Sequence, residues 1–462
     1  MLSRSVSWLR RLARDRRGNV AVIFAFASIP ILAFVGAAID YSIAVRTQTK
    51  IEAALDTALL LATSKGELPP TKTAAQAQAD AITMFTAQLA TFGVGTQTST
   101  ITVTDSTTGR TATGSATSVV PTTFMKILGF NSLTVNGSSQ AVVNLPLYID
   151  FYLLLDNTPS MGVGATTSDI SRLQSLTTNG SEGSCAFACH NIYTDSSQRT
   201  VDSNTYYNIA KNNGVTMRID VLRTATQGLM TYAQNTENAN NLSNQFRMAI
   251  YTFGASCTTS PQQPSQIQSL TSNLTTAAAS ASAIDLMTIP YQNYNSDQCT
   301  DFDNILTGTN GMNSVIPTPG PGTSSSPQKW LFLVTDGVAD AYYPTHVANN
   351  TPTGDCSQSS PGGGRCQEPL TVADCTTIKN RGVNIAVIYT TYLQLPSNGW
   401  YMSWIDPFNP GPWGPSPNSK IAQNLQSCAN SGFYFEVSAD GDISTAMNKL
   451  FQKVVSNAHL AM

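Results

Sequence analysis

From Val20 to Ile39 the chain runs for twenty residues without a charge, VAVIFAFASIPILAFVGAAI, between Arg17 and Asp40. At a rise of about 1.5 Å per residue, a helix of that length matches the roughly 30 Å apolar core of a bilayer. Pro30 in its middle is tolerated by a lipid-embedded helix better than by a soluble one. From Tyr41 to Thr63, Ile51, Leu55 and Leu59 recur every fourth residue with Ala54, Ala58 and Ala62 alongside, which predicts a further helix. That stripe suits packing on the helix's own domain, or an extended helix packed against neighbouring subunits. Gly66 to Pro70 ends it, because proline lacks the amide proton and clashes with the preceding turn. A second helix is expected over Thr73 to Leu89. Alternation at Ile101 and Val103, Thr117 to Val120, Leu133 and Val135, and Ala141 to Val143 then predicts strands. Residues 41–145 therefore read as a membrane-proximal helix and α+β stalk.

From about Leu145 the pattern changes to continuous apolar runs alternating with amphipathic stretches. Strands are expected at Tyr148 to Leu155, Phe246 to Phe253, Trp330 to Val334, Val383 to Tyr389 and Phe433 to Val437. Helices are expected at Arg218 to Tyr232, Ala277 to Leu286 and Asp442 to Val455, the last with Ile443, Met447, Leu450, Phe451 and Val454 in one stripe. Uninterrupted apolar strands alternating with helices indicate an α/β fold, a mainly parallel sheet covered on both faces. Three stretches rich in Gly, Pro, Ser and Asn interrupt it, near 162–214, 338–375 and 395–419. Loops this long inside a compact domain are functional or tied down.

Composition sharpens this picture. Of 462 residues only 11% are charged, so the surface rests on Ser, Thr, Asn and Gln, a habit of exported proteins. A net charge of −3 excludes a general nucleic-acid binder, which needs a basic footprint. Arg4, Arg10, Arg11, Arg14, Arg16 and Arg17 crowd the first seventeen residues. The positive-inside rule then keeps residues 1–17 as a basic cytoplasmic tail, makes 18–40 a single-pass span, and places everything after Asp40 outside. A cleaved signal peptide is the alternative, with Gly36-Ala37-Ala38 as the small residues, but this apolar run exceeds the usual signal length. Either way the cysteines meet an oxidising compartment. All eight (Cys185, Cys189, Cys257, Cys299, Cys356, Cys366, Cys375, Cys428) are disulfide candidates, with pairing left open.

Candidate chemistry gathers after the first apolar strand of the second region. Asp156-Asn157-Thr158-Pro159-Ser160 places a carboxylate and two hydroxyls on one loop, three oxygens suited to a hard divalent cation. Thr300 precedes a short apolar helix start, and Trp330 to Thr335 is a buried strand ending in Asp336-Gly337. In order and spacing these residues resemble the von Willebrand factor A-domain family. Its metal-ion-dependent adhesion site (MIDAS) uses D-x-S-x-S, a Thr on a second loop and an Asp before Gly on a third. The resemblance implies a doubly wound, mainly parallel sheet over residues 146–462. It also implies a metal site of Asp156, Thr158, Ser160, Thr300 and Asp336, holding Mg2+ with Mn2+ or Ca2+ as alternatives. Thr158 stands where the family has Ser, which keeps the hydroxyl. Two carboxylates and three hydroxyls leave the metal incompletely satisfied, so a partner's carboxylate can complete it.

Cys185-Ala186-Phe187-Ala188-Cys189-His190 invites a zinc or haem reading, but the spacing is wrong for haem attachment and two zinc ligands are missing. A disulfide anchoring the first insertion is expected instead. His346 and His459 have no partner in the sequence, Asp301 and Asp303 suit a helix cap, and no catalytic triad or nucleotide loop is visible. No enzyme is expected.

The run Arg16-Arg17-Gly18-Asn19-Val20-Ala21-Val22-Ile23-Phe24, continuing to Asp40-Tyr41, resembles the TadG-type Flp/Tad pilus assembly proteins of bacteria. So does the closing pattern of Cys428-Ala429 before Gly432-Phe433-Tyr434-Phe435 and a final helix. The resemblance implies an inner-membrane anchor, a periplasmic A domain, other Tad components as partners and a role in cell adhesion without catalysis. Ile23 stands where a pilin precursor has Glu five residues after the cleavage Gly, so a retained anchor is expected. The alternative function is a secreted or surface adhesin whose A domain binds a host or matrix ligand.

Overall fold

A single helix, α1 (Asn19–Ala62), carries the apolar run directly into the folded part of the chain. The helix expected from Tyr41 to Thr63 directly continues the apolar run, because nothing in the sequence between Ile39 and Ala62 opposes helix. A computed structural model describes residues 19–457 except 70, 107–108, 179–183, 193–204, 241, 258–260, 290–298, 343–364, 393 and 439–440, and except the side chains of 19, 21, 342, 365 and 457. The chain forms two compact units, Met1–Leu145 and Pro146–Met462.

In the first unit, α2 (Ala74–Phe92) starts at a Thr73/Gln76 capping box, in which each side chain satisfies a backbone amide of the other's turn. β1 (Thr98–Asp105), β2 (Gly109–Pro121) and β3 (Ser132–Asn144) form an antiparallel sheet in that order. The four short strand segments expected from sequence are thus three longer strands. Ile101, Val103, Ala112, Ala116, Val120 and Val135 bury against the Ile51/Leu55/Leu59 stripe of α1 and against Ala77, Ala81, Phe85 and Leu89 of α2. Arg110, fully buried, clamps the helix end to this sheet. It donates to Asp105 at 2.6 and 2.9 Å and to the carbonyls of Ala62, Glu67 and Lys72.

The second unit is built on a six-stranded sheet of β4 (Ile149–Leu155), β5 (Phe246–Thr252), β6 (Ser265–Thr271), β7 (Gln328–Thr335), β10 (Asn384–Thr390) and β11 (Tyr434–Val437). Its order is β11-β10-β7-β4-β5-β6, all parallel except the edge strand β6. Alternate strand residues feed two cores. Phe151, Leu153, Phe332 and Ile388 pack beneath α5 (Arg218–Asn240) and α12 (Ile443–Asn457). Leu154, Leu331, Leu333 and Val387 pack beneath α7 (Phe302–Leu306), α9 (Val372–Asn380) and α11 (Lys420–Cys428). The chain is therefore mixed α/β with both faces of a mixed, mainly parallel sheet covered.

The described residues of the interruptions carry secondary structure of their own. The first holds α3 (Thr167–Thr177) and α4 (Tyr206–Asn212), and the third holds α10 (Gly399–Trp404). The second holds a two-stranded ribbon of β8 (Val338–Tyr342) and β9 (Arg365–Pro369), and it ends where α9 begins, so Cys375 belongs to a helix rather than to the loop. The helix expected over Ala277 to Leu286 is shorter and earlier, α6 (Leu274–Ser280) followed by one 3₁₀ turn to Ala283.

Candidate functional site

Within the second unit the strand order reverses direction between β4 and β7, and ligands of open α/β sheets bind beyond the carboxyl ends at such a switch point. Asp156 follows β4 and Asp336 follows β7, so both carboxylates stand at that crevice, each fully buried. Pro159 shapes the first loop. It forces an extended conformation on Thr158 and then opens a 3₁₀ turn to Met161. Thr158 is turned back on Asp156, donating from its amide (2.9 Å) and Oγ1 (2.7 Å) to Oδ1, and its hydroxyl lies 3.2 Å from Ser160 Oγ. Thr335 Oγ1 donates to Asp156 Oδ2 at 2.6 Å and accepts the Gly337 amide at 2.9 Å. Gly337 has φ +82, and a Cβ there would lie 2.6 Å from Leu425 Cδ1, so this turn needs glycine.

Asp336 is the anomaly. Neither of its buried oxygens has a hydrogen-bond partner of ordinary geometry, although Ser160, Tyr392 and the Val338 amide lie near enough to favour its charged form. Burial nonetheless raises its pKa. Burial also raises Asp156, to about 7, with the negative charge of Asp336 adding to the shift. Buried Arg218, at the start of α5, lowers Asp336 in the opposite sense, lies 5.9 Å from the Tyr392 ring and donates to the Thr391 carbonyl.

Thr300 is held on a third loop by reciprocal backbone bonds with Asp340 of the ribbon (3.1 and 3.0 Å) and by the Cys257–Cys299 disulfide next to it. Asp301 caps α7, accepting the Asn304 amide at 3.1 Å, and Asp303 lies in that helix's first turn. Ser160 and Thr300 open together onto a cavity of about 350 Å³. All three insertions wall it: Phe187 and His190 from the first, Asp340 and Gln367 from the second, Trp400 from the third. Tyr392 Oη and Gln367 Nε2 are buried in this wall, neither with a hydrogen bond of ordinary geometry.

Among the described residues no group of three or more His, Cys, Asp or Glu could hold a metal. The predicted set is mostly hydroxyls, and its fit to a cation rests on other observations. Two buried carboxylates repel each other, one has no hydrogen bond of ordinary geometry, and Ser160 and Thr300 from two loops open onto one cavity. With both acids ionised, Arg218 offsets one of the two charges and leaves one negative charge in excess. The sequence did not single out Thr335, Arg218, Gln367 or Tyr392; Thr335 alone had a signal, its place beside Asp336.

Three disulfides are described: Cys185–Cys189, Cys257–Cys299 and Cys375–Cys428. The last ties α9 to α11. The first closes only on itself, four residues apart, and so does not pin the insertion to another element. The Cys189 amide, however, donates to the Gly162 carbonyl at 2.7 Å. Cys366 is disulfide-bonded, while Cys356, His346 and His459 lie outside the described residues.

Residues 18–79 match the family model of TadE/G-like Flp pilus-assembly proteins. No curated protein matches the chain. Among solved structures, the von Willebrand factor domain of the type V pili tip protein Mfa5 from Porphyromonas gingivalis is similar at 12% identity and TM-score 0.35, covering 68% of this chain and 97% of that one. The open pilus adhesin SpaC from Lactobacillus rhamnosus GG is similar at 12% identity and TM-score 0.33, covering 78% and 33%. The PilB minor pilin from Streptococcus sanguinis is similar at 13% identity and TM-score 0.31, covering 78% and 77%.

Proposed function

We propose, from the premise that residues 18–79 are a TadE/G-like Flp pilus-assembly segment, that this chain is a membrane-anchored component of Flp/Tad pilus assembly or anchoring. Its second unit, of von Willebrand factor A type, binds a protein carboxylate through a divalent cation and acts without catalysis. The arginine-rich residues 1–17 stay in the cytoplasm, α1 crosses the inner membrane once, and the rest stands in the periplasm, a compartment in which its disulfides persist.

One observation carries the binding reading. At the switch point of the sheet, a fully buried carboxylate with no hydrogen bond of ordinary geometry, Asp336, feels the charge of Asp156, and Ser160 of the Asp156 loop opens onto a cavity walled by every long insertion. Asp156, Thr158, Ser160, Thr300 and Asp336 would hold the cation, Mg2+ with Mn2+ or Ca2+ as alternatives. Once bound it supplies a hard positive centre with coordination left open for a ligand oxygen. Thr335 and the Thr158 amide hold Asp156 in one orientation. Gln367 and Tyr392 offer donors in the cavity wall to the rest of an oxygen-rich ligand, and Trp400 and Phe187 exclude water around it.

Thermal unfolding with Mg2+ and with EDTA tests this on the wild type and Asp156→Ala. Mg2+ at a hundred times its Kd should stabilise the wild type by about 2.7 kcal/mol and leave the variant unmoved. No metal-dependent difference between them removes the reading. Pull-down of Tad components by the full chain, with and without Mg2+, then tests the partner.

A further inference from the structure

Four large apolar side chains stand in the open on one short segment of the first unit. Phe124 is 42% exposed, Ile127 85%, Leu128 54% and Phe130 58%. All lie in the loop from β2 to β3, whose residues 122–131 read TTFMKILGFN, with Lys126 its one charge. A patch of this kind on a soluble surface marks an interaction site.

The loop is held rigidly in this presentation. Asp40, buried at the end of the apolar run of α1, accepts three of its backbone amides, from Thr123 (3.0 Å), Phe124 (2.8 Å) and Met125 (2.6 Å). The Thr122 amide donates to the Asn131 carbonyl at 3.1 Å and closes the base, while residues Met125–Leu128 make one 3₁₀ turn. Its position is equally fixed. A Cβ on Gly36 would lie 2.4 Å from the Cβ of Phe124, so the loop packs on α1 at Gly36. Gly36 is one helical turn to the apolar side of Asp40, about 6 Å deeper along the axis. The loop therefore descends beside the apolar run, on the side of α1 that also carries the exposed apolar residues Ile29, Leu32 and Ile39.

We infer that the β2–β3 loop is a second membrane contact, seated at the headgroup and acyl boundary of the leaflet that α1 leaves at Asp40. Lipid is the occupant that this geometry favours, because the patch is continuous with the span itself and carries no acid. Lys126 is placed to reach headgroup phosphates from an otherwise apolar turn. A helix alone leaves its rotation about its own axis free; a helix with a foot 84 residues further along the chain, clamped by Asp40, does not. The inference rests on the membrane-anchoring reading of α1.

No free cysteine is present among the described residues, so a nitroxide can be attached to one introduced thiol. The full chain carrying Ile127→Cys, Leu32→Cys or Ser138→Cys is reconstituted in phosphatidylethanolamine/phosphatidylglycerol vesicles. Collision with oxygen, which partitions into lipid, is compared with collision with a water-soluble nickel chelate. The ratio at position 127 should lie several-fold above that at 138, on the side of position 32. A position 127 as open to nickel as 138, with 32 protected, overturns the foot and leaves the anchor standing. Nickel access at 32 removes the anchor and the foot together. Exclusion of both reagents at 127, with dipolar broadening between labels, assigns the patch to a second copy of the chain and also overturns the proposal.

Discussion

The two ends of strand β4 treat a buried carboxylate in opposite ways. Asp150, near its start, sits directly across from Arg247 on β5 and Lys329 on β7. Arg247 pairs with it through two bonds of 2.6 and 2.7 Å, and Lys329 donates to Oδ2. That end carries one acid and two bases, with every oxygen of the acid engaged. Asp156, just past the other end, shares its crevice with a second acid, and the charge of Arg218 offsets only one of the two. Removing charges from water is repaid only where partners satisfy them. The first end is therefore built for the fold. The second leaves a charge imbalance that the described residues do not fill, and that difference is what the proposed binding role rests on.

The largest expected effect breaks the well-paired end. Asp150→Ala leaves Lys329, 7% exposed, buried beside a second cation, and should cost about 3 to 5 kcal/mol in chemical denaturation. A loss within error of zero would mean that this end is as loosely balanced as the other. The next effect is pH dependence at the opposite end. Burial, then the charge of Asp336, raises Asp156 from 3.8 to about 7. The folded state thus holds this proton more tightly than the unfolded one. Its stabilisation is complete below the unfolded value and is lost as pH climbs through about 7. Melting in EDTA should fall from pH 5 to pH 8, and Mg2+ should recover more at pH 8, where its ligands are already deprotonated. The smallest and most discriminating change is Asp336→Asn. Removing one of two like charges should stabilise the metal-free protein by about 1 kcal/mol at pH 8, flatten that pH slope and abolish the Mg2+ response. An unchanged slope would show that the two acids do not act as a pair.

Much of this was legible in the chain because apolar runs and short motifs are local. The strands at Phe246, Trp330 and Val383 announce themselves by unbroken apolar residues, and the loop from Asp156 to Ser160 carries its spacing on its face. Edge strand β6, Ser265–Thr271, is half exposed and mostly polar, so it offered no run to read. The ribbon β8–β9 pairs segments separated by a long stretch of Gly, Pro and Ser, and α11 is only nine residues long. Asp150 passed unremarked inside an apolar strand because its partners lie 97 and 179 residues away. Thr335 likewise meets Asp156 across 179 residues. Pairing at that range is a property of sheet register, which no window of sequence contains.

The uninterrupted helix α1 also has a mechanical meaning. Its 44 residues make a rod of about 66 Å. One end lies in the apolar run, and the other is the packing centre of the first unit and is clamped at Ala62 by Arg110. No loop or linker lies between them to stretch. Tension applied to the sheet therefore passes into the apolar part of the helix as axial load and torque, and the first compliant element on that line is Pro30, where one backbone hydrogen bond is missing. On the membrane-anchored reading proposed above, a chain built in this way would resist pulling by the cost of dragging a helix out of the bilayer rather than by the elasticity of a tether.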